Sequence, residues 1–74
     1  MNDDFTPMEF VVAMLVRVFK QPEQAAINIT MKIHHEGSAV AGIYPYEIAE
    51  QKVVDATTLA RDNGHPLMIK AEAE

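Results

Sequence analysis

A chain of 74 residues leaves room for one small domain and none for separate catalytic and regulatory parts. With no cysteine it can form no disulfide, thiolate nucleophile or cysteine-ligated zinc site, and nothing in it asks for an oxidising compartment. Six Lys and Arg stand against eleven Asp and Glu, a formal charge of −5, and the basic residues are scattered, which argues against binding a nucleic-acid backbone. No apolar run reaches the roughly 20 residues of a membrane span and the polar start is not a signal peptide, so no membrane contact and a cytoplasmic location are expected.

In chain order, Thr6, Pro7 and Glu9 read as N-cap, first and third helical positions of a capping box, with Phe5 and Phe10 at the positions of a hydrophobic staple. Met8, Val11, Val12, Leu15, Val16 and Phe19 recur at i, i+3 and i+4, which predicts an amphipathic helix over residues 7–20. Pro22 opens a second predicted helix that turns Ala26, Ile29 and Ile33 inward and stops at Gly37, where a left-handed residue is expected. Residues 39–44 form a short strand candidate ended by Pro45, and residues 46–63 a third helix with Ala49, Val53, Ala56 and Ala60 inward and Gly64 as its stop. After Pro66, the alternation of Leu67, Ile69 and Ala71 with Met68, Lys70 and Glu72 reads as a last strand. The expected fold is therefore α/β (α+β): one small domain over residues 1–74, with three helices packed on a short antiparallel sheet.

Asn2, Asp3 and Asp4 place acceptors directly ahead of the first helix start, an arrangement that suits a cation held beside an apolar wall. Local signals also allow a plainer reading, in which Asp3 and Asp4 simply favour the positive end of the helix. Four blocks in this order resemble the ClpS adaptor family: residues 2–11; His34 with Glu36 and Gly37; residues 42–44 followed by Glu47, Ile48, Ala49, Glu50, Lys52 and Val53; and Ala60 and Arg61 with His65, Pro66 and Leu67. The resemblance covers nearly the whole chain. It implies an ATP-dependent Clp protease adaptor, not an enzyme and with no cofactor, which binds the N-terminal segments of substrate proteins that begin with Leu, Phe, Tyr or Trp. It implies Asn2, Asp3, Asp4 and His34 as a clamp for the substrate's α-amino group. An ammonium carries three donors, and an internal Leu or Phe without one would leave the clamp unpaired at a cost of a few kcal/mol. It implies Thr6, Met8, Val11, Thr30, Ile33 and Leu67 as the recess for the first side chain, whose burial is worth roughly 1.5 to 3 kcal/mol. It implies docking on the N-terminal domain of a ClpA-type (or ClpC-type) unfoldase through Glu47 and Lys52, with Glu50 nearby.

Three departures from the family pattern carry expectations of their own. Thr30 stands where a methionine commonly narrows the recess; its hydroxyl is expected to bond back to the carbonyl of Ala26, leaving a wider recess that excludes Ile and Val less strictly. The family places a strand of alternating apolar residues and a flexible extension for handover ahead of the position of Asn2. Because the chain as read starts at Met1, the family's first strand is expected to be largely missing from the sheet. Pro45 sits where a threonine usually caps the third helix and is expected as its first helical residue instead.

Readings from other classes are weaker. Asp3, Asp4, His34, His35 and Glu36 carry ligand chemistry for a divalent metal, but neighbouring helical residues point about 100° apart, so His34 and His35 do not share an ion easily. Ser38 is the only serine and no nucleophile-and-base spacing is visible. The stronger rival is a non-catalytic interaction module that docks on the Clp unfoldase without recognising a substrate's N-terminal residue.

Overall fold

The computed structural model describes residues 7–65 and 67–72 and contains three helices: α1 (Met8–Arg17), α2 (Glu23–Glu36) and α3 (Tyr46–Asp62). Each starts directly after a proline. Pro7, Pro22 and Pro45 occupy the cap position with ψ of 139°, 152° and 146°, and no side chain caps any of the three. Their carbonyls accept the first helical bonds, from Val11 at 3.3 Å, Ala26 at 2.9 Å and Ala49 at 2.9 Å. A residue in this extended conformation already points its carbonyl along the helix, and a proline loses nothing there because its missing N–H has no intrahelical partner to find. Pro7 and Pro45 are thus cap residues and not the first helical residues that the sequence predicts. Thr6 and Phe5, assigned to the capping box and the staple, lie outside the described residues.

The stops follow the expected glycines and one unexpected residue. Gly37 ends α2 at φ 90° with its N–H on the Ile33 carbonyl at 2.8 Å. Gly64, at φ 73°, ends α3 in a Schellman motif: its N–H bonds the Arg61 carbonyl at 3.0 Å and the His65 N–H reaches the Ala60 carbonyl at 2.9 Å. A side chain at either position would carry the strain of the left-handed region. The first helix stops three residues short of its predicted end. Lys20 takes φ 58°, and the Gln21 N–H turns back to the Leu15 carbonyl at 3.1 Å.

The described chain falls into two compact units, one over Pro7–Ile43 and one from Tyr44 onward. In the first, α1 packs on α2, and Val11, Met14, Leu15, Phe19, Ala26 and Thr30 are buried. Met14 is 3% exposed whereas Val16 is 36% exposed, so the buried face of α1 is turned toward Met14, away from the predicted stripe. In the second, Ala56 and Ala60 are buried and Ala49 and Val53 half-buried, as the periodicity predicts.

The expected short antiparallel sheet is not present: among the described residues no residue belongs to a β-strand, so the helices carry the fold and the α/β expectation is corrected. A strand is defined by its ladder, and alternation of side chains supplies only half of what it needs. Leu67, Ile69 and Ala71 are half-buried while Met68, Lys70 and Glu72 are exposed, so the period of two is kept without a paired backbone among the described residues. In the other strand candidate the Ala41 carbonyl accepts from the Gln21 side-chain amide at 2.6 Å, a side-chain bond that fastens residues 39–43 within their unit. Val40 and Ile43 stay 70% and 79% exposed, and Gly42 offers no side chain to pack.

Candidate functional site

On α1, Met8 and Val11 lie three residues apart; Val11 is buried at 4% exposure and Met8 is exposed. On α2, Thr30 is buried, Ile33 half-buried and His34 exposed in the last turn. The Thr30 hydroxyl donates to the Ala26 carbonyl at 2.8 Å, the bond expected from its place one turn on. This back-bond satisfies the only buried polar side chain of the described core. The His34 ring meets that of His35 edge-on, with centroids 5.4 Å apart. Leu67 is half-buried in the unit that follows Tyr44. Asn2, Asp3, Asp4 and Thr6 lie outside the described residues. Among the described residues no three His, Asp or Glu converge as metal ligands, and no helix is long and apolar enough to cross a membrane.

A hollow of about 600 Å³ opens on the α1–α2 unit between Val12, Val16 and Ile27, rimmed by Glu9, Arg17 and Glu23. None of Met8, Val11, Thr30 or Ile33 lines it.

The three residues expected to dock the unfoldase separate on α3. Glu47 and Glu50 are exposed and line an open groove of about 550 Å³. Lys52 is half-buried, with its ammonium 5.1 Å from the centre of the Tyr44 ring, where it faces the negative π surface. Tyr46, which the sequence reading passed over, also lines the groove. Its phenol is hydrogen-bonded to the Glu50 carboxylate, and that bond, the negative charge of Glu50 and slight desolvation hold it above the ordinary 10.0. Tyr44 is also raised, by burial. The spacing of four between Tyr46 and Glu50 was the available signal for this pair.

These phenols are the chain's two tyrosines, so tyrosinate absorbance reads them directly. Both are expected to ionise above pH 10, and Glu50→Gln is expected to lower one transition and leave the other. The folded phenols hold their protons more tightly than the unfolded ones. Their contribution to stability is therefore complete below the unfolded value of about 10 and is lost as pH rises through the folded values.

Comparison with known proteins settles the kinship. Residues 1–70 match the family model described as ATP-dependent Clp protease adaptor protein ClpS. An adapter protein ClpS from Shewanella pealeana is 49% identical over 71 residues, covering 96% of this chain and 70% of the relative. One from Nautilia profundicola is 52% identical over 67 residues, covering 90% and 69%. Among solved structures, Agrobacterium tumefaciens ClpS2 bound to L-phenylalaninamide superposes with a TM-score of 0.90 at 42% identity, covering 100% of this chain and 89% of that one. The three-helix arrangement, with its proline starts and glycine stops, is thus a ClpS fold, and the chain belongs to the ClpS family of Clp protease adaptors, which are not enzymes.

Proposed function

We propose that residues 1–74 act as one adaptor core in the cytoplasm that recognises the free α-amino group and bulky first side chain of N-degron substrates, and hands them to a ClpA-type unfoldase. The observation that carries this reading is the likeness to a ClpS2 bound to L-phenylalaninamide, a ligand that has the two features the site needs, a free α-ammonium and an aromatic side chain. In this reading Asn2, Asp3, Asp4 and His34 accept from the ammonium. Thr6, Met8, Val11, Thr30, Ile33 and Leu67 surround the side chain, and Glu47, Glu50 and Lys52 meet the N-terminal domain of the unfoldase.

Titrating the chain with a fluorescent peptide that begins with a free Phe tests the reading, with L-phenylalaninamide as competitor. Saturable binding displaced by the amide supports it. Failure to bind while the chain still captures the unfoldase's N-terminal domain leaves a docking module that ignores the substrate's first residue.

Thr30 sets the range of first residues in this reading. With its hydroxyl turned to Ala26, the side chain presents a methyl where a longer one would reach further. Thr30→Met is expected to weaken peptides beginning with Ile or Val by about tenfold relative to Phe and Leu, the scale on which apolar pockets discriminate by a carbon or two. An unchanged ranking of the four peptides would show that Thr30 does not shape the recess.

A further inference from the structure

We propose that the exposed stripe Glu9, Ala13, Val16 and Arg17 of α1, with Ile27 of α2 beside it, is the contact face of a weak two-fold dimer of this chain. The inference stands apart from peptide recognition, because none of Met8, Val11, Thr30 or Ile33 lines the hollow along which this stripe runs.

Glu9, Val12, Ala13, Val16 and Arg17 follow one another at i, i+3, i+4, i+7 and i+8 and line the hollow from α1, with Glu23 and Ile27 lining it from α2. The stripe lies on the side of α1 away from the buried Val11, Met14 and Leu15. Ala13 is exposed, and Val16 and Ile27 are 36% and 37% exposed, so two helices leave apolar surface in water at one place. A second copy laid there would remove that surface from water. Ala13 suits the centre of such a contact, because the side chains at the crossing set how closely two helices approach.

Charge selects the occupant. A two-fold interface must be complementary to itself. Glu9 and Arg17 each lie four residues from Ala13, on opposite sides of it, so two α1 helices that cross antiparallel with Ala13 on the axis set Glu9 of each copy against Arg17 of the other. A parallel crossing would set like charges together. Within one chain the two residues are about 12 Å apart along the helix axis, too far to pair with each other, and neither forms a salt bridge among the described residues. The contact spans about three turns of one helix and a single side chain of another, at the low end of specific interfaces, below roughly 1,200 Å². The dimer is therefore weak and depends on concentration.

Sedimentation velocity of the full chain from micromolar to millimolar concentration tests the proposal. The parent is expected to pass from monomer to dimer over that range. Glu9→Arg and Arg17→Glu, both at exposed positions, are each expected to weaken self-association by at least roughly tenfold, since each sets like charges together at both ends of the contact. An equimolar mixture of these two variants should associate as a heterodimer, because opposite charges then meet at both ends. Val16→Asp tests the apolar part of the stripe and should also leave a monomer, while Met68→Ser, 90% exposed and outside the hollow, should behave as the parent. Circular dichroism of each variant shows that the helices remain. A parent that stays monomeric throughout, or a dimer indifferent to all three stripe variants, overturns the proposal. Charge variants that are monomeric alone and fail to associate when mixed overturn the antiparallel pairing.

Discussion

A peptide whose N-terminal Phe is acetylated is expected to bind this chain at least about 100-fold more weakly than the same peptide with a free amine, a difference of roughly 2.7 kcal/mol. Acetylation removes the ammonium and keeps the rest of the peptide. The aromatic side chain and its apolar burial are unchanged, so any loss reads the amine alone. The free ammonium brings a charge and three donors, and hydrogen bonds to a charged group contribute about 1.5 to 3 kcal/mol each. The acetyl amide brings one neutral donor and adds bulk at the point where Asn2, Asp3, Asp4 and His34 are proposed to converge. Two such bonds, discounted for partial hydration of an exposed His34, account for the expected factor. Fluorescence anisotropy with the paired peptides measures it. Equal affinities would sink the clamp, and His34 would then be an exposed residue of the last turn of α2 without a role in recognition.

The second large effect concerns stability. Leu15→Ala is expected to cost about 2 to 5 kcal/mol, because Leu15 is 1% exposed and the largest fully buried side chain among the described residues. Domains are stabilised by roughly 0.05 to 0.15 kcal/mol per residue, so the whole chain has only about 4 to 11 kcal/mol to lose. A melting temperature at least about 10 °C lower should follow, readable by circular dichroism. Two neighbours sharpen the test. Met14→Ala should be nearly as damaging as Leu15→Ala, since Met14 is 3% exposed. Val16→Ala should cost well under half as much, since Val16 keeps 36% of its surface in water. Equal losses at Met14 and Val16 would contradict the orientation of α1.

That orientation shows where sequence reading ends. Positions 11, 12, 14, 15, 16, 18 and 19 are all apolar, so more than one stripe at i, i+3, i+4 can be drawn through them. The predicted stripe and the buried one share Val11, Leu15 and Phe19 and differ by a turn of roughly 60° at 100° per residue. Choosing between them needs the shape of α2, whose small residues Ala26 and Thr30 form the buried surface facing the packing partner. In α3 the polar positions leave a single inward stripe of alanines, and there the periodic reading holds.

The chain by itself determined what depends on one residue's own chemistry or on near neighbours. Three prolines mark three helix starts, and Gly37 and Gly64 mark stops because they reach positive φ without strain. The Thr30 back-bond depends only on a carbonyl one turn away, and family membership was legible because four blocks keep their order. Tertiary structure decided whatever depends on distant partners. Residues 39–44 and 67–72 carry the apolar pattern of strands, yet a ladder needs a second backbone that no pattern within one segment can supply. Only the folded unit placed Lys52 on Tyr44 and left Glu47 and Glu50 beside the exposed side chains of Tyr46 and Val54, because charges on one helix separate according to what each side chain finds across from it.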